Sequence, residues 1–289
     1  MKILCLGGDQ RQLVIVNDLC MRHSVDVVGY DDIELGDNIK KIKMNDLDIS
    51  LYDVIIFPVS GVQENYLLKT SFSEETIYLD PSLLAFSKRE ALIFTGVITK
   101  WLDDILGSSN KWAIPLMEDI EVKRENSIPT VEGIIGDLIY NSPNTINKAN
   151  ILVLGYGNVG KLLVEKLRAM DANVAVGVIL QSDFEYLKLR NIKGFYVTDE
   201  QLFGDTIKQS EIIVNTVPSL ILNRNYLDLV NKETYILDIS SFPYGVDSAY
   251  AEEKGLRHKL FQAIPSIVAP KTAGLILSKK INRVIGGEK

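Results

Sequence analysis

Twice along this 289-residue chain, short runs rich in Val, Ile and Leu alternate with stretches of helical period, which confines the fold to parallel sheets with crossover helices. In the first series, residues 2–6, 25–29, 54–59 and 91–97 read as strands and 10–22 and 99–106 as helices. The second has strands over 150–154, 173–179, 212–216, 235–239 and 256–261, separated by helices over 158–170, 183–190, 223–230 and 248–254. Between them, Asn126-Ser127-Ile128-Pro129-Thr130 reads as a helix start, because Ser127 accepts from free backbone N–H groups and Pro129 suits a first turn. That helix is expected to stop at Asn141-Ser142-Pro143. A last apolar helix, 271–285, has no strand after it and is expected to pack back across the domains. The expectation is an α/β protein of two Rossmann-like doubly wound domains with parallel sheets and a cleft between them. Residues 1–125 form a substrate and dimerisation domain, 126–148 a crossing helix and linker, 149–270 the dinucleotide domain, and 271–289 the returning helix.

Composition narrows the function. With 31 Lys and Arg against 38 Asp and Glu, the formal charge is −7 and no long basic run occurs, so nucleic acid is not an expected partner. No 18-residue apolar stretch is present, and only residues 3–6 are apolar before Gly7-Gly8-Asp9. A cytoplasmic protein with no membrane partner is expected. Two Cys (Cys5, Cys20) and two His (His23, His258) are too few for a disulfide framework or a structural zinc site of the usual spacing. No metal is expected, and the chemistry must lean on an organic cofactor or on other side chains.

Gly155-Tyr156-Gly157-Asn158-Val159-Gly160 fits G-x-G-x-x-G between the run Ile151-Leu152-Val153-Leu154 and a helix. Gly155 permits the tight turn, Gly157 lets the backbone approach a pyrophosphate, Gly160 lets helix and strand pack closely, and the helix N-terminus favours phosphate charge. Without a ligand, the same residues would still make a tight strand-to-helix turn. The fingerprint expects an acid after the second strand to bind the ribose 2′-OH of NAD. Here that end reads Val178-Ile179-Leu180-Gln181-Ser182, with Asp171 too early and Asp183 too late. A missing acid removes repulsion of a 2′-phosphate, and Gln181 or Ser182 can bond to one, although no Arg neutralises it; the reading leans to NADP over NAD. Two further strand ends face the same crevice, Asn215-Thr216-Val217-Pro218-Ser219 and Asp238-Ile239-Ser240-Ser241. Thr216, Val217, Pro218, Asp238 and Ser240 are read as contacts to ribose and nicotinamide, the alternative being capping of strands and turns.

The N-terminal turn Gly7-Gly8-Asp9-Gln10-Arg11-Gln12 lacks a third glycine, so a second dinucleotide is not expected there. Arg11 stands at a helix start, where the dipole disfavours a cation unless an anion lies close by. It is a candidate for a substrate carboxylate, a solvated Arg being the alternative.

These segments, together with Asn126-Ser127-Ile128-Pro129-Thr130-Val131-Glu132-Gly133 and Ile267-Val268-Ala269-Pro270-Lys271-Thr272-Ala273-Gly274, occur in one order across nearly the whole chain. In them the sequence resembles the A-subunit of dipicolinate synthase from endospore-forming bacteria. The resemblance implies a C-terminal NAD(P)-binding domain, partnership with a flavoprotein-like B-subunit, and formation of pyridine-2,6-dicarboxylate in the mother cell during sporulation. A homo-oligomer is also expected. The family carries an Arg after the second Rossmann strand, where this chain has Ile179 or Leu180. The implied substrate is a dihydro- or hydroxytetrahydropyridine dicarboxylate, whose oxidation sends a hydride to nicotinamide while a proton leaves. Arg11 and Lys271 are the candidate cations for its carboxylates, with the hydroxyls of Ser127, Thr130 and Thr272 at two helix starts. Asp9 and Glu132 are candidate proton acceptors, alongside solvent. No His–Glu pair of the 2-hydroxyacid dehydrogenase kind is read, and Lys279-Lys280-Arg283 reads as a solvated helix end that suits the dipole. Another amino-acid or hydroxy-acid dehydrogenase, and a nucleotide-sensing regulatory protein, are the competing readings.

Overall fold

In the computed structural model, which describes residues 1–287, the chain runs through two units. The first contains β1 (Lys2–Leu6), α1 (Gln10–Leu19), β2 (Ser24–Val28), β3 (Ile39–Lys41), β4 (Val54–Ile56), the antiparallel pair β5 (Leu67–Leu68) and β6 (Ile77–Tyr78), β7 (Leu92–Thr95), α2 (Lys100–Ser108) and β8 (Ile114–Pro115). Helix α3 (Ile120–Asn141) carries the chain into the second. There follow β9 (Asn150–Leu154), α4 (Asn158–Ala169), β10 (Asn173–Val178), α5 (Gln181–Leu189), β11 (Lys193–Tyr196), α6 (Glu200–Gln209), β12 (Ile212–Asn215), α7 (Arg224–Leu227), β13 (Tyr235–Asp238), α8 (Ser248–Glu253) and β14 (Arg257–Leu260). Two helices complete the order, α9 (Ile264–Val268) and α10 (Pro270–Ile285). One unit comprises Met1–Asn126 together with the segment from Pro265 onward, the other Ser127–Ile264. Among the described residues, no helix is long and apolar enough to cross a membrane.

Each unit is built on a six-stranded, all-parallel sheet of the same topology, β3-β2-β1-β4-β7-β8 in one and β11-β10-β9-β12-β13-β14 in the other. Strand order reverses at β1/β4 and at β9/β12, and ligands of such sheets bind outside the carboxyl ends of the strands at that reversal. The central strands are apolar without interruption because both their faces are covered. Ile3 and Cys5 of β1 enter one core and Leu4 and Leu6 the opposite one, and in β9 Ile151 and Val153 are separated in the same way from Leu152 and Leu154. Crossover helices bury one stripe each: Ile15, Val16 and Leu19 in α1, and Leu163, Val164 and Leu167 in α4.

The helix expected to start at Ser127 starts seven residues earlier. Asp119 caps it, its Oδ1 accepting from the N–H groups of Glu121 and Val122 at 3.0 Å each, and Pro129 lies inside the helix. A proline there removes one intrahelical bond, a loss offset by the packing of Val122 in the first unit's core and of Val131, Ile134 and Leu138 in the second's. Within the second unit, the Asp137 carboxylate of α3 accepts from Tyr235 Oη at 2.6 Å and Asn141 Nδ2 at 2.9 Å and pairs with Lys259, fastening the helix to β13 and β14. Strands β3 and β11 and helix α6 do not register in the sequence pattern. Both strands are sheet edges with a single buried residue each, Ile39 and Phe195, too little for an apolar run.

Helix α10 packs on α1. A Cβ at Gly274 would lie 2.6 Å from Val14 Cβ and 2.7 Å from Arg11 O, so only glycine allows the two backbones this approach. Asp18 accepts from Ser278 Oγ at 2.5 Å and Asn282 Nδ2 at 2.8 Å. The basic cluster expected to be solvated is ion-paired instead: Lys279 with Glu125 at 2.8 Å, Lys280 with Asp119 at 2.8 Å, and Arg283 with Glu121. Lys280 lowers the Asp119 pKa and Arg283 that of Glu121.

Candidate dinucleotide site

The turn at 155–160 is shaped by what its glycines exclude. Gly155 has φ +93°, and a Cβ there would lie 2.4 Å from Thr216 Oγ1, which is held by donating to Leu154 O at 2.9 Å. Gly155 N–H donates to Gly177 O at 3.0 Å, tying the turn to the neighbouring strand. A Cβ at Gly160 would sit 2.3 Å from Gly155 O, so α4 can begin this close to β9 only with glycine there. Gly157 is different: a Cβ would meet no atom within 4 Å. It is the N-cap of α4 with no side chain capping the helix, and Gly157 and Asn158 are exposed. Open space, a bare helix N-terminus and exposed backbone are what a pyrophosphate needs, so these residues fit a dinucleotide. Val159 packs against the core. The Tyr156 ring is buried in that core too, and burial raises its pKa; only its backbone serves the turn.

At the next two strand ends, Asn215 and Asp238 are register partners that build an internal network. Asp238 is 0% exposed, and its carboxylate accepts from Asn215 Nδ2 (2.9 Å), Ser240 N (3.0 Å) and Gly245 N (3.1 Å). The expected ribose contact from Asp238 is therefore corrected: with both oxygens occupied and no surface, it shapes the 240–245 loop and meets no ligand. Ser240 is also buried, with its Oγ lacking a partner. Asn215 exchanges bonds with the backbone of Val217 at 3.1 Å each way. This presents Thr216 and Val217 half-buried and Pro218 exposed at the carboxyl end of β12. At the other end of the turn, α5 begins at Gln181, so Gln181 and Ser182 occupy a first helical turn and are exposed.

Several substrate candidates are engaged within their own unit. Asp9 is the N-cap of α1, and its carboxylate accepts from Arg11 N (2.9 Å), Nε (3.1 Å) and Nη2 (2.6 Å). The anion that the position of Arg11 demands is thus Asp9. Arg11 is only 8% exposed, so the solvated alternative is overturned, and Asp9, committed to a cap and a guanidinium, is poorly placed to act as a base. The first-unit loop is also filled by protein: Gly8 N–H donates to Lys69 O (2.8 Å) and Ser71 N–H to Gly8 O (2.9 Å), and a Cβ at Gly7 would lie 2.6 Å from Lys69 O. A strand-like segment lies where a phosphate would.

Ser127, Thr130 and Glu132 lie in the interior of α3, so the anion-binding helix start expected at Ser127 does not exist. Ser127 is buried, Thr130 half-buried and Glu132 exposed. Lys271 and Thr272 do sit at a helix start, exposed in the first turn of α10, where Pro270 follows an N-cap, Ala269, that supplies no side-chain bond. Half-buried His258 lies within β14 with Nε2 unpartnered, and burial pushes its pKa down against the opposing pull of Asp238.

Two doubly wound sheets in one chain, one carrying an uncapped G-x-G-x-x-G turn, define a protein of the two-domain Rossmann type; the fold is shared with a transhydrogenase from Sinorhizobium meliloti (TM-score 0.67, 11% identity, covering 99% of this chain and 93% of that one). The family model for the N-terminal domain of the dipicolinate synthase A-subunit matches residues 2–117. Over 287 residues the chain is 33% identical to the dipicolinate synthase A-subunit of Bacillus subtilis (strain 168), covering 99% of this chain and 96% of that protein. The crystal structure of the corresponding protein from Bacillus halodurans superposes with a TM-score of 0.94 at 30% identity, covering 98% and 97% of the two chains. The chain belongs to the dipicolinate synthase A-subunit family.

Proposed function

We propose that the chain oxidises dihydrodipicolinate, formed from 4-hydroxytetrahydrodipicolinate, to pyridine-2,6-dicarboxylate, with NAD(P)+ as hydride acceptor. The observation that carries the reading is the open, uncapped turn at Gly157 in a chain alike from end to end to a known dipicolinate synthase component. A bound nicotinamide dinucleotide supplies the hydride acceptor. The protein's own part is to bind and orient. Gly155 and Gly160 set the turn, the exposed first-turn N–H groups of α4 receive the pyrophosphate, and Thr216, Val217 and Pro218 line the nicotinamide end. Lys271 and Thr272 bring a cation and a hydroxyl to the substrate's carboxylates at a helix start that no side chain caps. The ring loses a hydride from one carbon and a proton from the neighbouring carbon, and aromatisation drives the step. Exposed Glu132 or solvent takes the proton, since Asp9 is held by Arg11.

The reading places the protein in the cytoplasm of the mother cell of a sporulating bacterium, partnered by a flavoprotein-like B-subunit. Purified chain, with and without that partner, is incubated anaerobically with enzymatically generated hydroxytetrahydrodipicolinate and NAD+ or NADP+. Dipicolinate and reduced dinucleotide are expected in equal amounts. Folded, dinucleotide-bound protein that makes neither, even with the partner, overturns the proposal.

A further inference from the structure

We infer that the adenosine end of this site discriminates weakly between NAD and NADP, and that Ile179 and Leu180 are the positions responsible. The inference rests on the dinucleotide reading above. Strand β10 ends at Val178, and the next two side chains are apolar yet 62% and 61% exposed. In a G-x-G-x-x-G domain, the residues just past the second strand meet the adenosine ribose. A carboxylate there would bind the ribose hydroxyls and repel a 2′-phosphate, whereas a guanidinium would grip that phosphate with two bonds. Ile179 and Leu180 do neither.

The polar groups that follow do not make up the difference. Gln181 donates its amide to Glu185 Oε1 at 2.8 Å. Two opposite charges in the flanking first turns, Asp183 of α5 and Lys161 of α4, are joined at 3.3 Å and offset each other. What remains is the start of α5, whose N-cap, Leu180, offers no side-chain bond, and the exposed hydroxyl-bearing Ser182 in its first turn. A helix start of this kind favours a phosphate by about two- to fivefold at low ionic strength, and salt erodes that margin.

Isothermal titration of the full chain with NAD+ and with NADP+, at low and at physiological ionic strength, tests this without recourse to turnover. The two dissociation constants are expected to lie within about tenfold, with NADP ahead at low salt and the gap closing as salt is added. Leu180→Arg is expected to move the ratio at least about tenfold toward NADP, and Ile179→Asp at least about tenfold toward NAD. A wild-type ratio beyond tenfold in either direction, or substitutions that leave the ratio in place, overturns the inference while leaving the dinucleotide reading intact. Binding of neither dinucleotide overturns that reading itself.

Discussion

Replacing Gly157 by alanine separates the fold from the ligand. Gly157 has φ −77° and ψ −161°, extended backbone that any residue adopts, and a methyl group there would meet nothing within 4 Å. Alanine is a poorer N-cap than glycine by roughly 0.5–1 kcal/mol, while its lower unfolded-state entropy returns roughly 0.4–1 kcal/mol. The net change in stability should stay within about 1 kcal/mol. Affinity should behave otherwise, because the methyl fills the space through which a pyrophosphate reaches the backbone. Losing one charge-assisted bond from an N–H of α4 costs about 1.5–3 kcal/mol, hence a dissociation constant raised about 10- to 150-fold. Urea unfolding followed by circular dichroism measures the first quantity and calorimetric titration with NAD+ or NADP+ the second. Unchanged affinity would place the pyrophosphate elsewhere, and a loss of stability as large as the loss of affinity would show that the methyl disturbs the fold rather than the ligand.

Gly155→Ala should lose both properties, since its φ of +93° and the 2.4 Å approach to Thr216 Oγ1 cost at least about 2 kcal/mol in urea midpoint terms. Asp137→Ala strands the Tyr235 hydroxyl, and with the half-exposed Lys259 discounted the loss should be about 3 kcal/mol. In a Tyr235→Phe background that loss should shrink by about 1 kcal/mol, and strict additivity in the double-mutant cycle would contradict the geometry. Gly274→Val should destabilise the first unit by about 2–4 kcal/mol through overlap with Val14 and the Arg11 carbonyl, read by fluorescence of Trp101 and Trp112, both in that unit. Burial lowers the His258 pKa, so the folded state favours the neutral ring more than the unfolded chain does. Its contribution is intact above the unfolded value of about 6.5 and is lost as pH falls below it. Between about pH 7.5 and 5.5, wild-type protein should therefore lose more stability than His258→Gln, and equal slopes would sink the idea.

Gly155 and Gly160 could be read in the sequence because each answers a demand of the backbone, and a backbone demand leaves one residue type standing. Side-chain assignments fared differently. Asn126-Ser127-Ile128-Pro129 has the composition of a helix start, yet Asp119 caps α3 earlier and packing on both sides of Pro129 carries the helix through it. Asp9 and Arg11 have the character of a base and a substrate cation, but a linear sequence does not reveal that a cap and a guanidinium two residues on have turned to each other. Asp238 carried a usable signal: it stands opposite Asn215 in register, and paired polar residues at the ends of adjacent buried strands tend to satisfy one another before they meet a ligand. The period of α10 reveals an apolar face but not its owner, and the close approach to α1 at Gly274 shows only in the structure.

Because α10 lies against α1, the first unit is sealed by a segment made only after the whole of the second. On the ribosome, its sheet and α1 emerge early, but the bonds of Asp18 to Ser278 and Asn282 and the core packing of Leu277 and Ile281 wait until Ser127–Ile264 has been synthesised. At bacterial elongation rates that is roughly 7–30 s, long enough for the contiguous second unit to close on its own first. Until α10 has been made, the first unit lacks the core contacts that Leu277 and Ile281 supply and the two bonds that Asp18 accepts.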